Sequence, residues 1–408
     1  MFKMLNQSIS IDDELTMQCI RVGIMKVLFI SGFSKDADSA NVNCIREVVQ
    51  ALRKHPGVEV TVTGEVLKVQ RANVDWRKKP SFMLRKIFHW PVIDPDASDE
   101  CYKIIVKELN QTKYDAMIVS HMPYDAVLAA VKAKKKYPQI HLMLYELDPI
   151  TYEIDKKRNS LGRYLYFMRE IAEKRTYIAC DTLLHMECNR QKYSSRKYKD
   201  FSEKSVYIDF PLIHDMKIEG QSPIKYAGQL VRFIYAGKLM RHFRSPEYLL
   251  KVLSEIKKSV NMEVDFFTNG DCESLIEKYA HNNSCIQQFG YVDKATLNSA
   301  IDGCDYLINI GNKYSDMLPS KLLSYIETGM PILHVQNQAN DACIAYLKRY
   351  KNAIIISENA PVEDSADKVV SFIRSAYKAR VCSGEIIRQF HKNTPEFSAG
   401  EIFKRIQQ

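Results

Sequence analysis

The stretch "VRFIYAGKLMRHFRSPEYLLKVLSEIKK" (231–258) holds the pattern on which the fold turns. Its first residues are mostly β-branched or aromatic and end in Gly237, which reads as a buried strand followed by a turn. A short loop then carries three cations, Lys238, Arg241 and Arg244. A helix follows, with Ser245 expected at its N-cap, Pro246 at its first position and the acid Glu247 in its first turn. Strand, basic loop and helix together make one βα unit.

The same unit recurs on both sides. Downstream, strands are expected at 262–270, 286–292, 305–311, 330–335 and 352–357, with helices at 272–280, 294–304, 320–329 and 366–377 between them. Upstream, "MKVLFISGF" (25–33), "VEVTVTG" (58–64), "YDAMIVS" (114–120) and "IHLMLYEL" (140–147) read as strands, with a further one inside 176–186 and helices over 40–54 and 125–137. Alternation of this kind implies right-handed crossovers and parallel sheets. It runs, breaks near "IDFPLI" and "EGQSP", and restarts. The expected architecture is α/β, with two Rossmann-like domains facing a central cleft: an extension over 1–24, domains over 25–215 and 216–383, and a helical segment over 384–408. In open parallel sheets ligands bind beyond the carboxyl ends of the strands.

Composition fits that reading. The chain has 408 residues, 46% hydrophobic and 26% charged, enough for two packed cores without disulfides. Its ten cysteines form no CxxC pair and no zinc-spaced group with histidine, so they read as reduced, mostly buried thiols of a cytoplasmic protein. No apolar run reaches membrane-span length. There is no clean G-x-G-x-x-G and no G-x-x-x-x-G-K-[ST], which argues against a dinucleotide oxidoreductase and a P-loop NTPase.

"PSKLLSYIETGMP" (319–331) reads as a helix that starts at Pro319-Ser320 and ends on Gly329. A helix start favours anions, and Lys321 there goes against the usual charge preference unless a phosphate lies beside it. With Lys238 and Arg244, this gives cations on two βα units of one domain, a suitable cradle for a diphosphate. Taken singly, each cue also suits a solvated surface.

At this point the second half resembles the donor domain of GT-B glycosyltransferases, family 4 (group 1) in particular. "AGKL" (236–239) and "RSPEYLL" (244–250) are similar to that family's Gly-[Arg/Lys]-Leu segment, second cation and helix. "FGYV" (289–292) resembles the segment that holds the nucleotide base. "DMLPSKLLSYIETGMPI" (316–332) resembles its P-S-K…G-x-P signature. The resemblance implies Lys238, Arg244, Ser320 and Lys321 on the diphosphate and Tyr291 and Val292 at the base. It implies Asp316 on the donor-sugar hydroxyls and Gly32 at a close backbone approach to the diphosphate. The family commonly has two glutamates eight positions apart; here those positions are Asp316 and Ser324, and Glu327, one turn on, is the available carboxylate. The implied reaction is transfer of a hexose from a UDP- or GDP-sugar to a glycan or lipid-linked acceptor in polysaccharide or glycoconjugate assembly, with no metal and no cofactor. A nucleotide-sugar 2-epimerase of the same fold and a non-catalytic sugar-nucleotide binder are the alternatives.

In the first half, Asp148 and then Glu146 crowd the end of a strand where a general base would sit, and His121 ends its neighbour. Residues 68–86 carry seven basic residues and one acid. Over 76–93, Trp76, Arg77, Lys78, Lys79, Arg85, Lys86 and Trp90 mix cations with both tryptophans, a composition that suits an anionic leaflet. A helix packed on its own domain has the same composition. Peripheral attachment to the inner face of the plasma membrane is the expectation, with no nucleic-acid partner.

Overall fold

The computed structural model describes residues 23–31, 40–63, 95–151, 159–215, 230–313, 318–319, 321–374 and 380–408. The chain divides into two compact units, Met1–Leu212 with Lys392–Gln408, and Ile213–His391.

The first unit is a six-stranded sheet. In chain order it contains β1 (Met25–Ile30), α1 (Ala40–Lys54), β2 (Val58–Val62), α2 (Pro95–Gln111), β3 (Ala116–Ser120), α3 (Tyr124–Lys136), β4 (His141–Glu146), α4 (Ser160–Ala179), β5 (Thr182–Met186) and β6 (Ser205–Ile208). The strand order is β2-β1-β3-β4-β5-β6, and every pairing is parallel. β3 and β5 are buried along their whole length, which is why they read as apolar runs without alternation. Each fully buried Leu, Ile or Val there contributes roughly 1.5–3 kcal/mol.

The second unit repeats the plan. Its elements are β7 (Val231–Ala236), α5 (Glu247–Ile256), β8 (Met262–Phe267), α6 (Glu273–Asn282), β9 (Ile286–Gln288), α7 (Lys294–Asp302), β10 (Tyr306–Ile310), α8 (Lys321–Glu327), β11 (Ile332–Gln336), α9 (Cys343–Arg349), β12 (Ala353–Ser357), α10 (Val362–Arg374) and α11 (Ser383–Gln389). The order β12-β11-β10-β7-β8-β9, again all parallel, reverses direction between β7 and β10. That reversal is the switch point at which doubly wound sheets hold their ligands. The last helix, α12 (Pro395–Ile406), belongs to the first unit. It starts at a Thr394 side-chain cap on the Phe397 N–H and sets Phe403 against His55 at the end of α1, ring centroids 4.1 Å apart.

Several local outcomes differ from the sequence reading, among them the helices α2 and α9, which it does not expect. Pro246, not Ser245, is the cap of α5, and the Ser245 hydroxyl accepts from the Glu247 N–H at 3.3 Å, so the helix starts one residue later than expected. β6 lies where no strand was expected; its four residues follow a charged 3-10 segment, Arg196–Lys204, too short and polar a context to show period-two patterning. α4 was not foreseen either, because its outward residues are apolar and its buried ones are not.

The loop after β7 is pinned to the end of β8 by Gly270. The Leu239 N–H donates to the Asn269 carbonyl at 3.0 Å, and the Asp271 N–H donates to the Leu239 carbonyl at 3.2 Å. Gly270 has φ +135°, and a Cβ there would lie 1.8 Å from the Leu239 carbonyl oxygen, a backbone atom with nowhere to go. Gly270→Ala should therefore lower unfolding stability by about 2–4 kcal/mol. Gly400→Ala, in open space within α12, should raise it by up to about 1 kcal/mol. Urea denaturation monitored by circular dichroism measures both.

Candidate functional site

At the switch point of the second sheet, the loops after β7 and β10 are tied together. The Arg244 guanidinium donates through Nε at 3.0 Å and Nη2 at 2.5 Å to Asn312 Oδ1, and the Lys313 N–H donates to the Phe243 carbonyl at 3.0 Å. Gly237, with φ +149°, leaves room for this: a Cβ there would lie 3.9 Å from Arg244 Nη1 and 3.5 Å from the Tyr235 hydroxyl. Burial pushes the Tyr235 phenol up, and the Arg244 charge opposes that rise. Lys238, next along, is exposed and has no ion-pair partner among the described residues. Arg241 turns elsewhere, to Asp271 and Ser274.

α8 is docked on the same strand end. The Tyr325 hydroxyl accepts from the Ala236 N–H at 3.0 Å and donates to the Ala236 carbonyl at 3.2 Å. Lys321 is exposed in the first turn of that helix, one turn before Tyr325. Lys238 and Arg244 follow β7, and the helix bearing Lys321 is docked on the end of that strand, so all three belong to one edge of the sheet. Glu327 lies at the other end of α8, where its Oε1 accepts from the His214 N–H at 2.9 Å and contacts His214 Nδ1 at 2.8 Å.

Asn312 and Gly311 are braced from below. Asn309 Nδ2 is 2.9 Å from His334 Nδ1, His334 Nε2 is 3.1 Å from Asp341 Oδ2, and Asp341 Oδ1 accepts from the Cys343 N–H at 2.9 Å. The ligand atoms of His334, Asp341 and Cys343 lie within 4.8 Å of one another, the one such grouping of metal-ligating side chains among the described residues. Each is already hydrogen-bonded, and burial pushes the Cys343 thiol well up, so the group works as a polar brace. A Cβ on Gly311 would meet Asp341 Oδ2 at 1.9 Å.

Beyond β8 and β9 the edge is aromatic. Phe289 stacks on Phe267, centroids 5.0 Å apart at 17°, and Gly290 (φ +67°) turns the chain so that Tyr291 stands 79% exposed, with Val292 half-buried.

In the first unit, His121 ends β3, and Glu146 and Asp148 end β4. The His121 Nδ1 accepts from the Leu147 N–H at 3.3 Å, and its Nε2 is buried with no hydrogen-bond partner among the described residues. Burial holds the His121 pKa down, and the Asp148 and Glu146 carboxylates oppose this. Glu146 is 2% exposed and fully engaged: Tyr177 donates to both its oxygens at 2.8 and 2.7 Å, and His185 Nδ1 is 2.7 Å from Oε2. Burial favours its protonated form, but the His185 and Tyr177 contacts outweigh that and hold the carboxyl below its usual range. Asp148 is the half-exposed carboxylate of the three, with Asn41 Nδ2 at 3.4 Å. Behind them a cavity of about 10 Å³, room for about one water molecule, is lined by His121, Tyr124, Glu146, Glu173 and Thr176.

Asn312, Tyr325 and the Glu173–Tyr177–His185 group had not been singled out from sequence. Only the polar residue after an apolar strand, and Glu173, Thr176 and Tyr177 on one helical face, hinted at them. Gly32, Asp316, Ser320 and the 76–90 cluster of Trp76, Arg77, Lys78, Lys79, Arg85, Lys86 and Trp90 lie outside the described residues, as does the 1–24 extension up to residue 22.

No protein-family model matches the chain, and no curated protein matches it in sequence. Solved structures match over nearly its whole length. HepE of Anabaena, in complex with UDP and glucose, is 9% identical over 94% of this chain and 99% of that one, with a TM-score of 0.57. A glycosyltransferase from Rickettsia africae is 12% identical over 94% and 99%, TM-score 0.56. A candidate UDP-N-acetylglucosamine 2-epimerase from Listeria monocytogenes is 14% identical over 95% and 96%, TM-score 0.53. At these identities the likeness establishes the fold: the chain has the two Rossmann-like domains of GT-B proteins.

Glu173 makes the first unit pH-sensitive. Burial raises its carboxyl pKa from 4.5 to about 7, despite Lys192 at 3.8 Å and hydrogen bonds from Tyr198 at 2.6 Å and Thr151 at 3.1 Å. The folded state therefore binds this proton more tightly than the unfolded chain. Its stabilisation is full below the usual carboxyl range and is lost as pH rises through about 7. Unfolding stability should fall between pH 5 and 7.5 by on the order of 2 kcal/mol, and Glu173→Gln should flatten that slope in denaturation curves taken across the range.

Proposed function

We propose that the protein is a glycosyltransferase that moves a hexose from a nucleoside diphosphate donor, a UDP- or GDP-sugar, to a glycan or lipid-linked acceptor. The observation that carries this reading is the Arg244–Asn312 tie across the switch point, with exposed Lys238 beside it. A diphosphate seated there meets a guanidinium whose planar fork is already oriented by Asn312. Positioned cations stabilise the charge that develops on a departing diphosphate without a reorganisation step. Lys321 joins from the first turn of α8, and the sequence resemblance adds Ser320 on the phosphates and Asp316 on the sugar hydroxyls. β9 is two strand spacings from β7, about 10 Å. That matches the span from diphosphate to base, so the base falls to Tyr291 and Val292.

On the acceptor side, Asp148 is the base, since Glu146 and His121 are buried and hold the strand ends around it. The assembly product is a polysaccharide or other glycoconjugate, made at the cytoplasmic face of a membrane. The mechanism assigns no step to a metal.

Two measurements test this. UDP and GDP should raise the melting temperature, and Arg244→Ala and Lys238→Ala should each weaken nucleotide binding about tenfold or more in calorimetry. Unchanged affinity in both variants overturns the diphosphate assignment. Asp148→Asn should cut sugar transfer to a lipid or glycan acceptor by about 100-fold or more with nucleotide affinity kept. Epimerised nucleotide sugar formed without acceptor would instead identify an epimerase.

A further inference from the structure

α4 is built inside out. Its buried residues are Gly162, Glu173, Thr176 and Tyr177, whereas Leu161, Tyr164, Phe167 and Ile178 are 64%, 50%, 57% and 70% exposed. They are four of seven such large exposed hydrophobics among the described residues. At 3.6 residues per turn the four fall within about a third of the circumference, with half-buried Met168 and Ile171 between them. The stripe from Leu161 to Ile178 is about 25 Å long. The informative departures from ordinary burial are buried polar groups and exposed apolar patches, and this helix has both.

We infer that the outer face of α4 lies in the headgroup region of an anionic lipid bilayer, parallel to its surface. Charge selects this occupant. Arg175 lies within the stripe, and Arg163 and Lys174 flank it. The first ten residues of the helix, 160–169, contain no acid. Glu170 is neutralised by Lys174 at 3.5 Å and by Lys197, and Glu173 is buried. An apolar stripe bordered by cations is the composition of an interfacial helix, and cations near a negative leaflet each add attraction. A second copy of the chain fits poorly: an antiparallel two-fold pairing of the stripes would set Arg163 of one copy beside Arg175 of the other. The inference goes beyond the donor site and uses none of its residues. Vesicle binding, measured without donor or acceptor, therefore fails or succeeds independently of sugar transfer.

The test uses the full chain with phosphatidylcholine vesicles, with and without phosphatidylglycerol. Wild type should sediment with the anionic vesicles and little with the neutral ones. Leu161→Glu, Phe167→Glu and Ile178→Glu combined should abolish binding, and Arg163→Glu with Arg175→Glu should reduce it at least about tenfold. Circular dichroism and an unchanged melting temperature check that the variants are folded. Equal partitioning of wild type and the apolar variant overturns the inference. So does a wild-type dimer on size exclusion that the variant makes monomeric, since a second copy then covers the stripe. Phe167→Trp provides a readout that needs no disruptive change: its emission, after subtraction of wild type, should shift to the blue on adding anionic vesicles. No shift, or blue emission beforehand, overturns the inference as well.

Discussion

A single guanidinium holds the second unit's working edge together. Where a doubly wound sheet reverses direction, the loops after the two central strands lead away from each other, and here one backbone bond, from the Lys313 N–H to the Phe243 carbonyl, is joined by a side-chain tie. Arg244 bridges that gap by giving two donors to one oxygen of Asn312. The geometry is demanding at both ends. Gly237 has a φ of +149°, which L side chains rarely adopt, and Gly311 must lack a side chain for Asp341 to lie beneath. Asp341 in turn is fixed by His334 and the Cys343 N–H. Residues 243–244 and 311–313 are thus tied to the domain's buried polar interior, and a positive charge is held in place before any ligand arrives.

The first unit makes a different use of buried polarity. In the core next to the strand ends Glu146 is bonded by Tyr177 and His185, and Glu173 by Tyr198, while His185 Nε2 is buried without a partner among the described residues. Burying two carboxylates is costly unless each is hydrogen-bonded, and the four tyrosine and threonine hydroxyls that surround them meet that demand. The cost is met by turning α4 so that its polar face points inward, which leaves its apolar side chains outside. Interior chemistry and surface character are here two aspects of one helix orientation.

The strands were legible because buried parallel strands are apolar throughout: "MKVLFI", "AMIVS" and "YLINI" allow little else. Helices such as α1, α3 and α5 were legible for the matching reason, whereas α2 and α9 were not read. α4 was not, because its periodicity has the reverse sense, and β6 was not, because four residues are too few to establish a period. In the site, the cations could be read from their place after a glycine-ended strand, whereas their partner could not. Nothing local marks Asn312 as the acceptor for a residue 68 positions earlier, since that relation exists only once β10 lies beside β7. Burial likewise separates Glu146 from Asp148, two carboxylates that look equivalent two residues apart.

The first unit is not continuous in the chain. Its closing helix, with Phe403 on His55 and buried Ala399 and Ile402, comes after the whole of the second unit. During synthesis the N-terminal sheet is therefore complete in its strands long before the ribosome releases the residues that cover α1. Until then that surface stays open, and a nonsense codon between the second unit and α12 would harm the domain encoded first.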